Sequence, residues 1–155
     1  MTPAINVTKK SKVTYKIHEY KHVSSNESYG LEAADKLNVP ETQVFKTLVV
    51  NLNNNELAVA ILPVSSMLSM KLFAKVIGAK KAVMATQIEV ERSTGYILGG
   101  VSPLGQKKKL KTIIDSSVKN LATVYVSAGK RGLEIELCPL DLKKLTNGII
   151  ADISQ

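Results

Sequence analysis

The spacing of apolar residues changes along the chain, from the period of two that is typical of β-strands to the period that is typical of α-helices. Segments in which every second residue is apolar, or in which a short apolar run ends at turn-forming residues, are typical of β-strands. The segments with this pattern are 13–20, 44–50, 56–62, 81–84, 111–114, 122–127, 133–137 and 148–153. The connections 51–55 and 128–132 are short and rich in turn-forming residues, so the strands beside them are predicted to form two β-hairpins. A polar loop is predicted at 21–28.

Helix start and stop signals fall between these strands. The predicted helices span 3–10, 29–37, 69–77, 86–94 and 139–145. The first begins with Thr2 and Pro3, which suit an N-cap followed by proline at the first helical position. Thr86 and Glu89 have the spacing of a capping box, and Gly78 suits the left-handed residue that ends a helix.

This interleaving of helices and hairpins predicts an α+β fold. Because hairpins exclude a purely parallel sheet, we expect a mixed or antiparallel, curved and barrel-like sheet with flanking helices. No linker, repeat or low-complexity segment divides the 155 residues. The prediction is one domain spanning 1–155, which is long enough to bury a core.

Composition and charge narrow the function classes. The net charge of +8, from 21 Lys and Arg against 13 Asp and Glu, favours a polyanionic partner. Cys138 is the single cysteine, so it cannot form an intramolecular disulfide, as expected in a reducing cytosol. The start lacks a signal-peptide pattern, and no apolar run approaches the roughly 20 residues of a membrane span. We therefore expect a soluble cytoplasmic protein with no membrane partner.

The stretch 93–105 combines several glycines with a proline beside a short apolar run. Glycine allows positive φ and lets the backbone approach a ligand closely. The lysines that follow at once, Lys107, Lys108 and Lys109, suit a phosphate-bearing or carboxyl-bearing partner. A strand end followed by turns and a solvated face is the alternative interpretation.

Lys46 lies inside an apolar strand segment, on the face shared with Leu48 and Val50. Lysine seldom occupies such a position without a partner, because burying an ammonium group is costly. Two interpretations stay open. Either the amine extends from an edge strand to water, or it lines a pocket and faces a carbonyl, carboxyl or phosphate group.

Two other features of the sequence could indicate a reactive or metal-binding site, but we favour a non-functional interpretation of each. Residues 18–22 match H-E-x-x-H, which binds zinc when a helix brings both histidines to one side. Here the flanking residues alternate as in a strand, which would separate His18 and His22 by about 13 Å, and no metal site is predicted. Cys138 has no histidine near it in the sequence, so a buried structural role is favoured over catalysis.

Taken together, several segments resemble the YbaK/EbsC family. They are 1–5, 45–48, 93–96, 99–105 and 125–132, and they follow the family order over nearly the whole chain. The resemblance implies a relative of the editing domain of bacterial prolyl-tRNA synthetases, with a mixed α/β domain around a curved sheet. It further implies a cofactor-independent trans-editing deacylase that hydrolyses Cys-tRNA(Pro) alongside prolyl-tRNA synthetase.

The resemblance also assigns candidate site residues. Lys46 would be the essential pocket residue, with Tyr20 and Thr47 beside it as further catalytic candidates. The candidates for binding the aminoacyl end and the terminal adenosine are Gly99, Gly100, Ser102, Ser127 and Gly129. The candidates for contact with the tRNA backbone are Lys107, Lys108, Lys109, Lys130 and Arg131.

The family chemistry suits a chain that lacks an ordinary nucleophile. In YbaK-like deacylases the thiol of the substrate cysteine is thought to attack the ester carbonyl and give a thiolactone. The protein would then need to supply positioning and charge stabilisation. Two alternatives stay open: an editing deacylase for another mischarged tRNA such as Ala-tRNA(Pro), and a module that binds tRNA or the synthetase without catalysis.

Overall fold

The structure, a computed structural model, describes residues 1–23 and 29–155. The part of the predicted loop at 24–28 lies outside the described residues. Within the described ranges the helices are α1 (Pro3–Ser11), α2 (Tyr29–Leu37), α3 (Met70–Ile77), α4 (Gln87–Thr94) and α5 (Pro139–Thr146). The strands are β1 (Tyr15–Glu19), β2 (Phe45–Leu52), β3 (Leu57–Pro63), β4 (Ala82–Met84), β5 (Lys111–Asp115), β6 (Val124–Lys130), β7 (Leu133–Leu137) and β8 (Ile149–Ala151). None of the described helices combines the length and apolar composition that a bilayer crossing requires.

The helix boundaries follow the capping signals of the sequence. The Thr2 and Ser69 side chains accept hydrogen bonds from backbone N–H groups in the first turns of α1 and α3. Thr86 and Glu89 form the predicted capping box of α4. A short 3₁₀ helix, Ser116–Asn120, was not predicted, because its signal is a single Asp115 cap that accepts from the Ser117 N–H.

The strands form two sheets. The first has the order β1-β7-β6 and is antiparallel, and the second has the order β4-β2-β3-β5-β8 and is mixed. The predicted α+β class, the mixed sheet and both hairpins are confirmed. The strands do not close into a barrel. The two sheets meet where Val44, just before β2, forms an isolated parallel bridge with Tyr125 of β6, and one bridge does not make a continuous ladder.

The main core lies between the two sheets. Phe45, Val59 and Ile61 project from the five-stranded sheet and belong to the same buried cluster as Val126 and Ile135 of the three-stranded sheet. Each is at most 2% exposed. Burying a side chain of this size contributes about 1.5–3 kcal/mol. The buried apolar side chains at every second position of β2 and β3 therefore hold the two sheets face to face.

The opposite face of the five-stranded sheet is covered by α3. Phe73 of α3 lies in one buried cluster with Ala60, Leu62 and Val50. Because successive residues of β2 point to opposite faces, Lys46 and Thr47 lie on different sides of the sheet. The start of β2 is thus the point at which both faces reach one cavity.

Candidate active site

A cavity of about 390 Å³ opens where the two sheets meet. Its walls come from the start of β2, the N-terminal turn of α2, the glycine loop at 97–101 and the β6–β7 hairpin. The residues predicted from sequence that line it are Tyr20, Lys46, Thr47, Gly99, Ser127, Lys130 and Arg131. Segments far apart in the chain therefore bring seven of the candidate residues to one place.

Lys46 lies in the wall of this cavity. β2 pairs with β3 at this point, with Lys46 opposite Leu62, whereas β4 pairs only with the far end of β2. Its Nζ donates a 2.6 Å hydrogen bond to the carbonyl oxygen of Ser66. Burial lowers the pKa of the Lys46 ammonium. Of the two interpretations left open by the sequence, the structure favours the one in which the amine lines a pocket.

Two hydroxyl groups lie near this ammonium in the cavity wall. The Thr47 Oγ1 is buried and has no hydrogen-bond partner among the described residues. The Tyr20 backbone N–H donates to the carbonyl oxygen of Gly132, which ties the end of β1 to the hairpin. Burial, and then the charge of Glu134, raise the pKa of the Tyr20 hydroxyl, so it stays protonated at neutral pH and can donate.

Glu134 is a cavity residue that the sequence did not single out. It is 6% exposed, and this burial raises the pKa of its carboxyl to about 8. Glu134 is thus largely protonated at neutral pH. Glu134 and Glu136 alternate with apolar residues in β7, so they share one face of the strand. The burial of that face follows from α2, whose Ala33 packs in one cluster with Tyr125 of the neighbouring strand.

A second unpredicted feature is the support behind Arg131. The guanidinium carbon of Arg131 lies 3.8 Å from the centroid of the Tyr29 ring, and both residues line the cavity. Behind them the buried Glu32 contacts an Arg131 nitrogen at 3.9 Å and His22 Nδ1 at 2.7 Å, and it accepts a 2.8 Å hydrogen bond from the Val23 N–H.

The partners of Glu32 decide its charge. Burial alone would raise the pKa of this carboxyl, but the Val23 N–H, His22 and Arg131 together outweigh burial and hold the pKa below its usual range. An ionised Glu32 therefore fixes the position of Arg131. Helical periodicity alone gave no sign that this glutamate faces inward.

The backbone of the glycine loop approaches the cavity closely at Gly99, which has no side chain. Gly99 has φ 91°, and a Cβ at this position would come within 2.9 Å of the Tyr29 ring. The neighbouring Gly100 lies outside the lining. A Cβ there would come 3.2 Å from the Lys130 Cα, so Gly100 allows the loop to pack on the hairpin.

Two more candidates also lie outside the cavity lining. Ser102 is fully buried, and its Oγ accepts a hydrogen bond from the Leu104 N–H within the loop. Gly129 has φ 98° at the irregular end of the hairpin, and a Cβ there would come 2.6 Å from the Tyr96 ring. Both shape the walls, and direct contact with a substrate stays a prediction for Gly100, Ser102 and Gly129.

The basic candidates separate into two groups. Lys130 and Arg131 line the first cavity, whereas Lys108 and Lys109 line a second cavity elsewhere on the surface. Lys107 is exposed and lines neither cavity.

The two histidines of the H-E-x-x-H match contact different glutamates. The strand prediction is confirmed, since His18 lies on β1, where its Nε2 is 2.9 Å from Glu136. His22 follows the strand and contacts Glu32 instead. Cys138 is half-buried at the start of α5, outside the cavity lining.

Comparison with known proteins shows the family of this chain. A model of the family described as the aminoacyl-tRNA editing domain matches residues 27–145. EbsC of Enterococcus faecalis, named as a provisionally assigned Cys-tRNA(Pro)/Cys-tRNA(Cys) deacylase, is 38% identical over 154 residues, which are 99% of this chain and 93% of EbsC. The proline–tRNA ligase of Lactobacillus helveticus is 30% identical over 105 residues, which are 68% of this chain and 18% of the ligase.

A solved structure shares the fold. It is described as a provisionally assigned trans-editing enzyme for prolyl-tRNA synthetase, and it superposes with a TM-score of 0.85 at 21% identity over 100% of this chain and 99% of that chain. The fold is thus shared over the whole chain. The chain belongs to the aminoacyl-tRNA editing domain family, and the predicted relationship to EbsC is confirmed.

Proposed function

We propose that this protein hydrolyses the ester of Cys-tRNA(Pro) in the cavity beside Lys46, acting in the cytoplasm alongside prolyl-tRNA synthetase. The observation that carries the proposal is the half-buried Lys46 ammonium, which lies in one cavity with the Thr47 hydroxyl and the Gly99 backbone. Family membership and 38% identity to EbsC support the same reaction.

Lys46 would act on the reacting ester through its charge. An ammonium group has three N–H donors, and the Ser66 carbonyl accepts from one of them. The others can donate to the ester carbonyl, where negative charge develops during attack. A donor in a partly desolvated site stabilises such charge more strongly than it would in water.

The bond changes require no nucleophile from the protein. The thiol of the substrate cysteine attacks its own ester carbonyl carbon, so that a carbon–sulfur bond forms and the bond from carbon to the ribose oxygen breaks. The thiol proton leaves and the ribose oxygen gains one, which releases tRNA and a cysteine thiolactone. Water then hydrolyses the thiolactone to cysteine.

Glu134 is the group proposed to carry that proton. It lines the same cavity, and its pKa of about 8 is close to the roughly 8.5 of a cysteine thiol. Because the carboxyl and the thiol have similar pKa values, proton transfer between them changes the free energy little in either direction. The minor fraction of Glu134 that is ionised at neutral pH accepts the thiol proton and, once protonated, returns it to the ribose oxygen, so Glu134 ends the cycle unchanged.

Substrate selection tests the proposal. Purified protein is incubated with Cys-tRNA(Pro), Ala-tRNA(Pro) and Ser-tRNA(Pro), and loss of each ester is followed. We expect cysteinyl ester to be lost at least tenfold faster than the other two, because alanine has no thiol and the serine hydroxyl is a far weaker nucleophile. Rapid loss of alanyl ester would keep the editing reaction but overturn the thiol mechanism. Loss of no ester, even with prolyl-tRNA synthetase present, would favour a binding module instead.

A further inference from the structure

A second cavity, of about 720 Å³, carries a cluster of positive charge outside the candidate active site. The end of the glycine loop, the start of β5 and the C-terminal turn of α5 form its walls. We call it the lysine groove, after Lys108, Lys109, Lys111 and Lys144, which all line it.

The charges of the lysine groove are largely uncompensated. Among the described residues that line it there is no aspartate or glutamate. Within the described part of the chain, Lys111 forms an ion pair with Glu56, with 3.8 Å between Nζ and Oε1. Both side chains are well exposed, and an exposed pair of this kind holds its partners weakly. The groove therefore presents several positive charges to an anion.

The composition of the walls indicates which kind of anion would bind. Among the described lining residues there is no aromatic ring and no arginine, so the groove offers no surface on which nucleobases could stack. Lysine binds phosphate as a point charge that carries no sequence information. These features suit the phosphodiester backbone of a nucleic acid, whose repeated charges match several lysines at once.

One loop contributes residues to both the lysine groove and the candidate active site. Val101 lines the first cavity, and Pro103 lines the lysine groove. Two residues of fully extended chain span at most about 7 Å, so these two lining residues lie close together. The groove also extends to Lys111, which pairs with the start of β3, whereas Lys46 pairs with the end of β3. A nucleic acid that occupied both cavities would therefore pass over this loop.

We propose that the lysine groove binds the phosphodiester backbone of the tRNA acceptor end while the aminoacyl ester occupies the cavity beside Lys46. This proposal rests on the proposed function, and it adds the surface that holds the body of the substrate. The main contacts with the tRNA backbone are then the groove lysines rather than Lys107, Lys130 and Arg131.

The chain supplies a matched pair of double variants. Lys108→Ala with Lys144→Ala removes two groove charges. Lys75→Ala with Lys143→Ala removes two exposed charges from positions that do not line the groove. Both variants have the same net charge, and each loses one of the two lysines in the last turn of α5. Any difference in tRNA binding between the two variants therefore reflects where the removed charges lie and not how many were removed.

The measurement is binding of 5′-labelled, uncharged tRNA(Pro), followed by fluorescence anisotropy between 50 and 300 mM KCl. Loss of two phosphate contacts lowers the slope of log K against log salt by about 1.4 to 1.8. We expect this change, with about tenfold weaker binding at 0.15 M salt, for the groove variant alone. Equal weakening by both double variants, or unchanged binding by the groove variant, would overturn the proposal.

Two further arms separate the possible reasons for failure. With the cysteinyl ester of adenosine, which has no phosphodiester, the groove variant should retain its wild-type kcat/KM, whereas Lys46→Ala should not. Binding of uncharged tRNA requires no turnover, so a failed deacylation assay leaves the groove test intact. If the groove variant binds tRNA normally but no longer binds prolyl-tRNA synthetase, the groove is a protein-docking surface and the proposal is wrong.

Discussion

The Lys46 Nζ donates its 2.6 Å hydrogen bond to the main-chain carbonyl oxygen of Ser66. A carbonyl group orients an ammonium without neutralising it, whereas a carboxylate would cancel its charge. Among the described residues, no carboxylate forms an ion pair with Lys46. The Lys46 charge is therefore held in position and stays available for a ligand.

The buried Glu134 carboxyl makes stability depend on pH. Its folded-state pKa of about 8 lies above the ordinary 4.5, so its contribution is fully present below about pH 4.5 and is lost as pH rises to about 8. Glu134→Gln removes this titration. We expect the melting temperature of the variant, relative to the wild type, to increase from pH 5 to pH 8 and then to level off.

Glu136→Gln serves as the contrasting variant. Burial would raise the pKa of Glu136, but hydrogen bonds from Thr123 and His18 hold it below its usual value. Glu136 therefore stabilises the fold above its unfolded pKa and stops doing so as pH falls. A melting-temperature difference for Glu134→Gln that does not change with pH would show that this carboxyl is not buried in solution.

Glu32 is expected to act through Arg131 rather than on the substrate. Glu32→Gln weakens the hold on Arg131 and His22, and loss of such buried bonds typically costs about 1–3 kcal/mol. We expect KM for Cys-tRNA(Pro) to rise severalfold with a smaller change in kcat, measured by steady-state deacylation. Glu19→Gln, at an exposed position on β1, should change neither stability nor KM. A fall in kcat alone would contradict a positioning role.

Gly99 and Gly78 permit a matched test of the glycine loop. Both have positive φ, so alanine at either position costs roughly 1–2 kcal/mol of backbone strain. A Cβ at Gly78 meets nothing within 4 Å, but one at Gly99 would meet the Tyr29 ring at 2.9 Å. We expect Gly78→Ala to lower only the melting temperature and Gly99→Ala to lower kcat/KM at least tenfold as well. Equal activity in the two variants would exclude the loop from the site.

The Thr47 hydroxyl is expected to serve binding rather than stability. It is buried without a hydrogen-bond partner among the described residues, so Thr47→Val should leave the free energy of unfolding unchanged or raise it by about 1 kcal/mol. Deacylation should fall. Thr8→Val provides the opposite case, because the Thr8 hydroxyl donates to the Ala4 carbonyl at 2.7 Å and its loss should reduce stability alone. Chemical denaturation and deacylation assays on both variants check these expectations.

Local signals in the sequence were sufficient for the α-helices and strands of the fold, although not for the 3₁₀ helix. Ser69 and Gly78 bound α3, and Thr86 with Glu89 begins α4, because capping depends on residues within one or two turns. The separation of the strands into two sheets was not predictable in this way. It depends on which strands pair, and pairs such as β1 with β7 and β3 with β5 are distant in the chain.

The candidate site likewise contains residues that could be identified from the sequence and residues that could not. Lys46 could be identified from sequence because a lysine in an apolar strand is unusual in any fold. Glu134 and Glu32 could not, because their burial results from packing between α2, the hairpin and the end of β1. Residues recognised by resemblance, such as Ser102 and Gly129, support the walls of the cavity without lining it.

The most direct test of the account is single-turnover release of cysteine from Cys-tRNA(Pro) by the wild type and by Lys46→Ala. Lys16→Ala, at an exposed position on the three-stranded sheet, controls for loss of one positive charge. We predict that Lys46→Ala slows release at least a hundredfold while tRNA affinity changes less than threefold, and that Lys16→Ala behaves as the wild type. Release by Lys46→Ala at the wild-type rate would show that the chemistry does not take place beside Lys46.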